Sequence, residues 1–79
     1  MTYEAVYSIA GAGKRSCSGL TLYEARKALL DIARAGALSD GTHIRRAGRC
    51  VGFYSEWHGQ VRPMFQALPQ ERHCLTSWA

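Results

Sequence analysis

The run from Leu20 to Gly36, LTLYEARKALLDIARAG, constrains this chain more than any other. Thr21 followed by Glu24 is a capping box, in which the hydroxyl accepts from an early backbone N–H and the carboxylate reaches back to the cap's own N–H. Leu20 ahead of the cap can staple onto the first turns. Leu22, Ala25, Leu29, Ile32 and Ala33 recur at helical spacing and form one apolar stripe. Glu24 with Lys27, and Lys27 with Asp31, fall at i,i+3 and i,i+4 on the wetter side, and Gly36 is a ready stop. The run therefore predicts an amphipathic helix of about four turns, which needs a second layer to lie on.

The rest of the chain supplies that layer. Tyr3 to Ala10, YEAVYSIA, has the aromatic and β-branched content of a strand, with Tyr3, Ala5, Tyr7 and Ile9 on one face and Glu4, Val6 and Ser8 on the other. Gly11 to Gly19, GAGKRSCSG, reads as a loop rich in glycine. Beyond the helix, Asp40-Gly41 marks a turn. HIRRAGRCVGFY then reads as a hairpin, with strands near His43–Arg46 and Arg49–Tyr54 and its tip at Ala47-Gly48. Ile44 alternates with Arg46, and Val51 with Phe53; Gly52 marks a bulge or a close packing neighbour. A second turn falls at His58-Gly59. Val61, Pro63 and Phe65 fit an edge strand, and Pro63 fits equally the start of a short helix over Met64 to Leu68. Pro69 ends that segment. The tail QERHCLTSWA carries Cys74, Leu75 and Trp78, enough apolar surface to dock on the domain.

The expected fold is α+β: one compact domain over residues 1–79, with a mainly antiparallel sheet of three to four strands and one amphipathic helix across it. At 79 residues, 47% apolar and 20% charged, the chain is too apolar to be disordered and too short for two cores. It has no apolar run near the ~20 residues that span a bilayer, and Met1 to Ile9 lacks the pattern of a signal peptide. A cytoplasmic monomer is expected, with Cys17, Cys50 and Cys74 as reduced thiols.

Three kinds of chemistry find little purchase. A phosphate loop at Gly13-Lys14 would need a glycine where Ser8 stands and a hydroxyl where Arg15 stands. Cys17, His43, Cys50, His58, His73 and Cys74 show none of the local spacings that wrap zinc, so neither metal nor cofactor is expected. Cys50 or Cys74 with His58 and Glu56 or Asp40 could form a nucleophile, base and orienting acid. A domain this small rarely encloses the concave site they would need. The chain is expected not to be an enzyme.

What remains is charge. The formal net charge is +4, and five of the ten cations lie in two segments: Lys14 and Arg15, then Arg45, Arg46 and Arg49. No acid interrupts the chain between Asp40 and Glu56, and the cations are mostly arginine, which pairs bidentately with carboxylate or phosphate. Tyr54, Trp57 and His58 add aromatic surface beside Arg49 and Arg62. Trp57 also suits the core, because so small a domain lacks other bulk. Arg45, Arg46, Arg49, Trp57, Lys14 and Arg15 are the candidate contact residues. One class of function is a stoichiometric module that occludes a larger macromolecule. The other is a small basic nucleic-acid-binding protein that uses the Arg-rich hairpin, although no helix-turn-helix, RNP-like strand motif or zinc knuckle is present.

In size and layout, with YEAVYSIA, then TLYEARKALLDIARAG, then HIRRAGRCVGFY, the chain resembles small phage-encoded anti-CRISPR inhibitors, most nearly those directed at type I surveillance (Cascade) complexes. These inhibitors share no common motif, so the resemblance assigns no residue. It implies binding to a large ribonucleoprotein partner, in the cytosol of a host cell, with block of target DNA recognition or of nuclease recruitment. The basic charge departs from the acidic, DNA-mimicking members. It implies instead contact with an acidic protein patch, or with protein and nucleic acid together.

Overall fold

A computed structural model describes residues 2–9, 11–36, 38, 41–55 and 59–76. The elements run β1 (Tyr3–Ile9), β2 (Gly13–Leu20), α1 (Leu22–Arg34), β3 (His43–Arg46), β4 (Arg49–Ser55), β5 (Gln60–Pro63) and α2 (Pro69–Thr76). The five strands form one antiparallel sheet in the order β2-β1-β3-β4-β5. The α+β class stands. The expectation of three to four strands and one helix is corrected to five strands and two helices among the described residues.

The first correction concerns Gly11 to Gly19, which is mostly strand rather than loop. Gly11 and Gly13 both have φ +82°, and the Ala12 N–H donates to Ile9 O at 3.0 Å, so these glycines turn the chain tightly back on β1. β2 carries no apolar face because it is the sheet's outer edge: Gly13 through Gly19 are all exposed. Its partners are the backbone groups of β1, which no side-chain pattern records.

β2 and β3 each run antiparallel to β1, so they run parallel to one another, and the chain between them must cross the sheet. α1 is that crossing, and it starts where the capping box stands. The Glu24 N–H donates to Thr21 Oγ1 at 3.1 Å, and the Thr21 N–H donates to Glu24 Oε1 at 2.9 Å. Ala25 and Leu29 of the stripe are fully buried, and Leu22, Ile32 and Ala33 are partly so. Gly36, at φ +72°, follows the helix.

The second correction concerns the tail. Pro69 does not end a segment but opens α2, where its missing N–H costs nothing. The tail does dock: Leu75 is fully buried, and a Cβ on Gly52 would lie 2.9 Å from Leu75 Cδ1. Of the two readings for the preceding stretch, the edge strand is realised, with Pro63 at the end of β5. The hairpin has its tip at Ala47 (φ +52°) and Gly48 (φ +78°), the left-handed pair that suits the twist of the flanking strands. The turn residue Asp40 lies outside the described residues, as do Trp57, His58 and Trp78. Among the described residues no helix is long and apolar enough to cross a membrane.

Ala5, Ala25, Leu29, Ile44, Val51, Val61 and Leu75 form the innermost core, between the sheet and the helices. Two charged residues are buried with this layer, Arg26 on α1 and Glu71 on α2. Glu71 is 1% exposed, and its carboxylate accepts from Tyr3 Oη (2.5 Å), Arg46 Nε (2.7 Å), Arg46 Nη2 (3.2 Å) and the Leu68 N–H (2.7 Å). Burial alone pushes this carboxyl up, but the bonds from Arg46, Tyr3 and the Leu68 N–H outweigh it and hold it below the usual carboxylate range. Burial and the neighbouring carboxylate push the Tyr3 phenol up to about 12.

Candidate binding surface

Side chains alternate along a strand, so the buried residues define both faces of the sheet. Ala5, Ile44 and Gly52 are register partners on the helix side, and Val61 with its partner Tyr54 lies there too. Their neighbours in sequence point the other way. Val6 pairs with Ser16 and with His43, His43 with Phe53, and Phe53 with Arg62. One unbroken row, Ser16–Val6–His43–Phe53–Arg62, thus crosses all five strands on the face that neither helix covers.

A register shift between β3 and β4 puts Phe53 in that row. Ile44 faces Gly52 while the next residue, Arg45, faces Cys50, which leaves Val51 as the extra residue of a bulge. Val51 stays buried with Gly52, and the alternation restarts out of phase, so Val51 and Phe53 fall on opposite faces.

The candidate contact residues divide between the faces. Lys14 and Arg45 come together around one shallow depression, with Glu4, Val6, Ser16 and Arg15 as its remaining walls; Arg15 is the register partner of Tyr7 and so belongs by alternation to the helix side. Glu4 and Arg45 are register partners, and Arg45 Nη2 donates to Gly48 O at 3.1 Å, which holds the guanidinium near the hairpin tip. Arg49 is exposed at the start of β4. Arg46 turns the other way and is held by Glu71, with its side chain 16% exposed. Trp57 lies outside the described residues.

Two members of the surface escape a reading of the chain as separate segments. Phe53 and Arg62 lie on different strands and meet only through the β4–β5 register. Buried Val61 immediately before Arg62 is the signal that Arg62 faces out. On the same face His43 Nδ1–H donates to Gly41 O at 2.7 Å, which fixes the ring's tautomer.

Among the described residues the Arg46–Glu71 contact is the only ion pair, so Lys14, Arg45 and Arg62 have no salt-bridge partner there. Among the same residues, no three His, Cys, Asp or Glu side chains cluster to hold a metal. The three cysteines are free thiols; Cys17 is exposed, and burial pushes the Cys50 thiol up, away from the reactive thiolate. Glu56, His58 and Asp40, which would complete a catalytic arrangement, lie outside the described residues. Among the described residues the arrangement is a shallow, cationic sheet face that carries the Phe53 ring. Comparison with known proteins gives no match to a family model, to a curated protein or to a solved structure.

Proposed function

We propose that this chain is a non-enzymatic, stoichiometric binding protein that acts by covering a surface on a larger assembly through the helix-free face of its sheet. The observation that carries this reading is the convergence of Lys14 and Arg45 around one shallow depression, beside a row that crosses every described strand. Both helices pack on the opposite face, where Ala25, Leu29 and Leu75 are buried. Following the resemblance to anti-CRISPR inhibitors, the target class is a type I CRISPR surveillance complex. The step blocked is target DNA recognition or nuclease recruitment. The cations then meet acidic side chains or phosphates of that assembly.

The test uses a purified type I surveillance complex, passed over the immobilised protein with and without nuclease treatment. Retention after nuclease, together with loss of target DNA binding or of nuclease recruitment by the retained complex, is the expected result. Lys14→Glu with Arg45→Glu should abolish retention at an unchanged melting temperature. A complex that is not retained, or that is retained and remains fully active, overturns the reading.

A further inference from the structure

The uncovered face has a chemistry that distinguishes among acidic partners. An acidic protein patch is recognised by cations alone, whereas a single-stranded nucleic acid offers phosphates for cations and base faces for an aromatic ring. Both kinds of group are present here, in register. Phe53 sits in the fourth strand of the row, with His43 beside it on β3 and Arg62 beside it on β5. Strands lie ~4.8 Å apart, so these side chains stand at about the separation of one strand spacing from each other. Lys14 and Arg45 lie on the same face on either side of the row: Lys14 is the partner of Ser8, and Arg45 the partner of Glu4.

We infer that this face binds single-stranded nucleic acid. One base stacks on Phe53, flanked by the His43 ring and the Arg62 guanidinium, while Lys14 and Arg45 take the flanking phosphates. Sheets that bind RNA by this geometry seat two or three bases on a four-stranded face. Among the described residues this face carries one carboxylate, Glu4, opposite Arg45, against three cations (Lys14, Arg45 and Arg62), so the potential stays favourable to phosphate. Duplex is a poorer ligand because its bases are stacked on one another and present no free face to Phe53. This inference rests on the surface proposed above and names the nucleic-acid strand of the assembly as what that surface touches.

The experiment is fluorescence anisotropy with the isolated full chain and a labelled 12-nucleotide oligo-dT or oligo-U, titrated over a range of salt. Single strands are expected to bind, with log Kd rising with log salt at a slope of about 1.4, as two phosphate contacts give. Phe53→Ala should weaken binding about tenfold at constant slope, as the loss of one stacked base does. Arg45→Glu or Lys14→Glu should lower the slope, and Glu4→Gln should tighten binding. Arg34→Glu, on α1 away from this face, is the matched charge reversal and should change Kd less than twofold. Phe53→Leu keeps the apolar bulk without an aromatic face, so it should fold and still lose the stacking. Equal affinity for duplex, no effect of either Phe53 variant, or polyglutamate competing as well as oligo-U would each overturn the inference in favour of plain charge recognition. No oligonucleotide binding would overturn it outright. Because no CRISPR complex is present in this assay, its failure leaves the retention test above untouched, and the reverse also holds.

Discussion

Arg46 Nε lies 2.7 Å from Glu71 Oε2, and that contact ties the cationic hairpin to the last helix from beneath the sheet. Sequence places Arg46 between Arg45 and Ala47 in a run of apparent surface charge. The pleat separates them: Arg45 goes to the open face, and Arg46 goes inward to a carboxylate that also takes the Tyr3 hydroxyl and the Leu68 N–H. One strand residue thus faces the open side of the sheet and the next serves the fold.

Removing the acceptor should therefore be felt in stability. Glu71→Ala leaves the Tyr3 hydroxyl and the Leu68 N–H without their partner in a buried site, a loss of about 1–3 kcal/mol per orphaned group at most. A lower midpoint of chemical denaturation than the parent's is the expected outcome. A variant as stable as the parent would show that the network holds nothing together.

The same network sets the pH dependence. The Glu71 carboxyl titrates lower in the folded chain than its ordinary value of about 4.3, so its stabilisation is complete above that value and is lost as pH falls through the folded one. The Tyr3 phenol is raised from 10.0 to about 12, so its contribution is complete below pH 10 and declines as pH rises toward 12. Melting temperatures from pH 2 to 12 should fall at both ends, and Glu71→Gln should flatten the acid limb. Tyr3→Phe should flatten the alkaline one.

Gly52 is where α2 meets the sheet. A methyl group there would sit 2.9 Å from Leu75 Cδ1 and 3.3 Å from Arg62 O, so Gly52→Ala should cost about 1–3 kcal/mol. Leu75→Ala alone should cost about 2–5 kcal/mol through the cavity it leaves. The double variant should be less destabilised than the sum, because the new methyl partly fills the space. Additive losses would place the strain elsewhere.

The hairpin tip offers a gain. Ala47 holds φ +52°, where an L side chain with a Cβ is strained, and the following Gly48 already suits a two-residue turn. Ala47→Asn should raise stability by roughly 0.5–1 kcal/mol, measured by thermal melt. A fall would mean that the alanine side chain makes a contact the turn needs.

Local rules alone determined α1, the β3–β4 hairpin and the two faces of β1. Capping box, apolar stripe and left-handed tip pair act within a few residues of chain, so Thr21, Glu24, Leu29 and Gly48 can be read without knowing what lies opposite. Tertiary structure decided the rest. β2 is a strand because β1 supplies its hydrogen-bond partners, and α2 forms where Leu75 finds Gly52 and Glu71 finds Arg46. The row across the open face was likewise invisible in the chain. A bulge at Val51 shifts the alternation by one residue and carries Phe53 to the open face, and only strand pairing sets it between His43 and Arg62. Periodicity reports which residues share a face within a strand. Register between strands, and the single-residue slips that reverse a face, are fixed by long-range pairing and by what the opposite layer will bury.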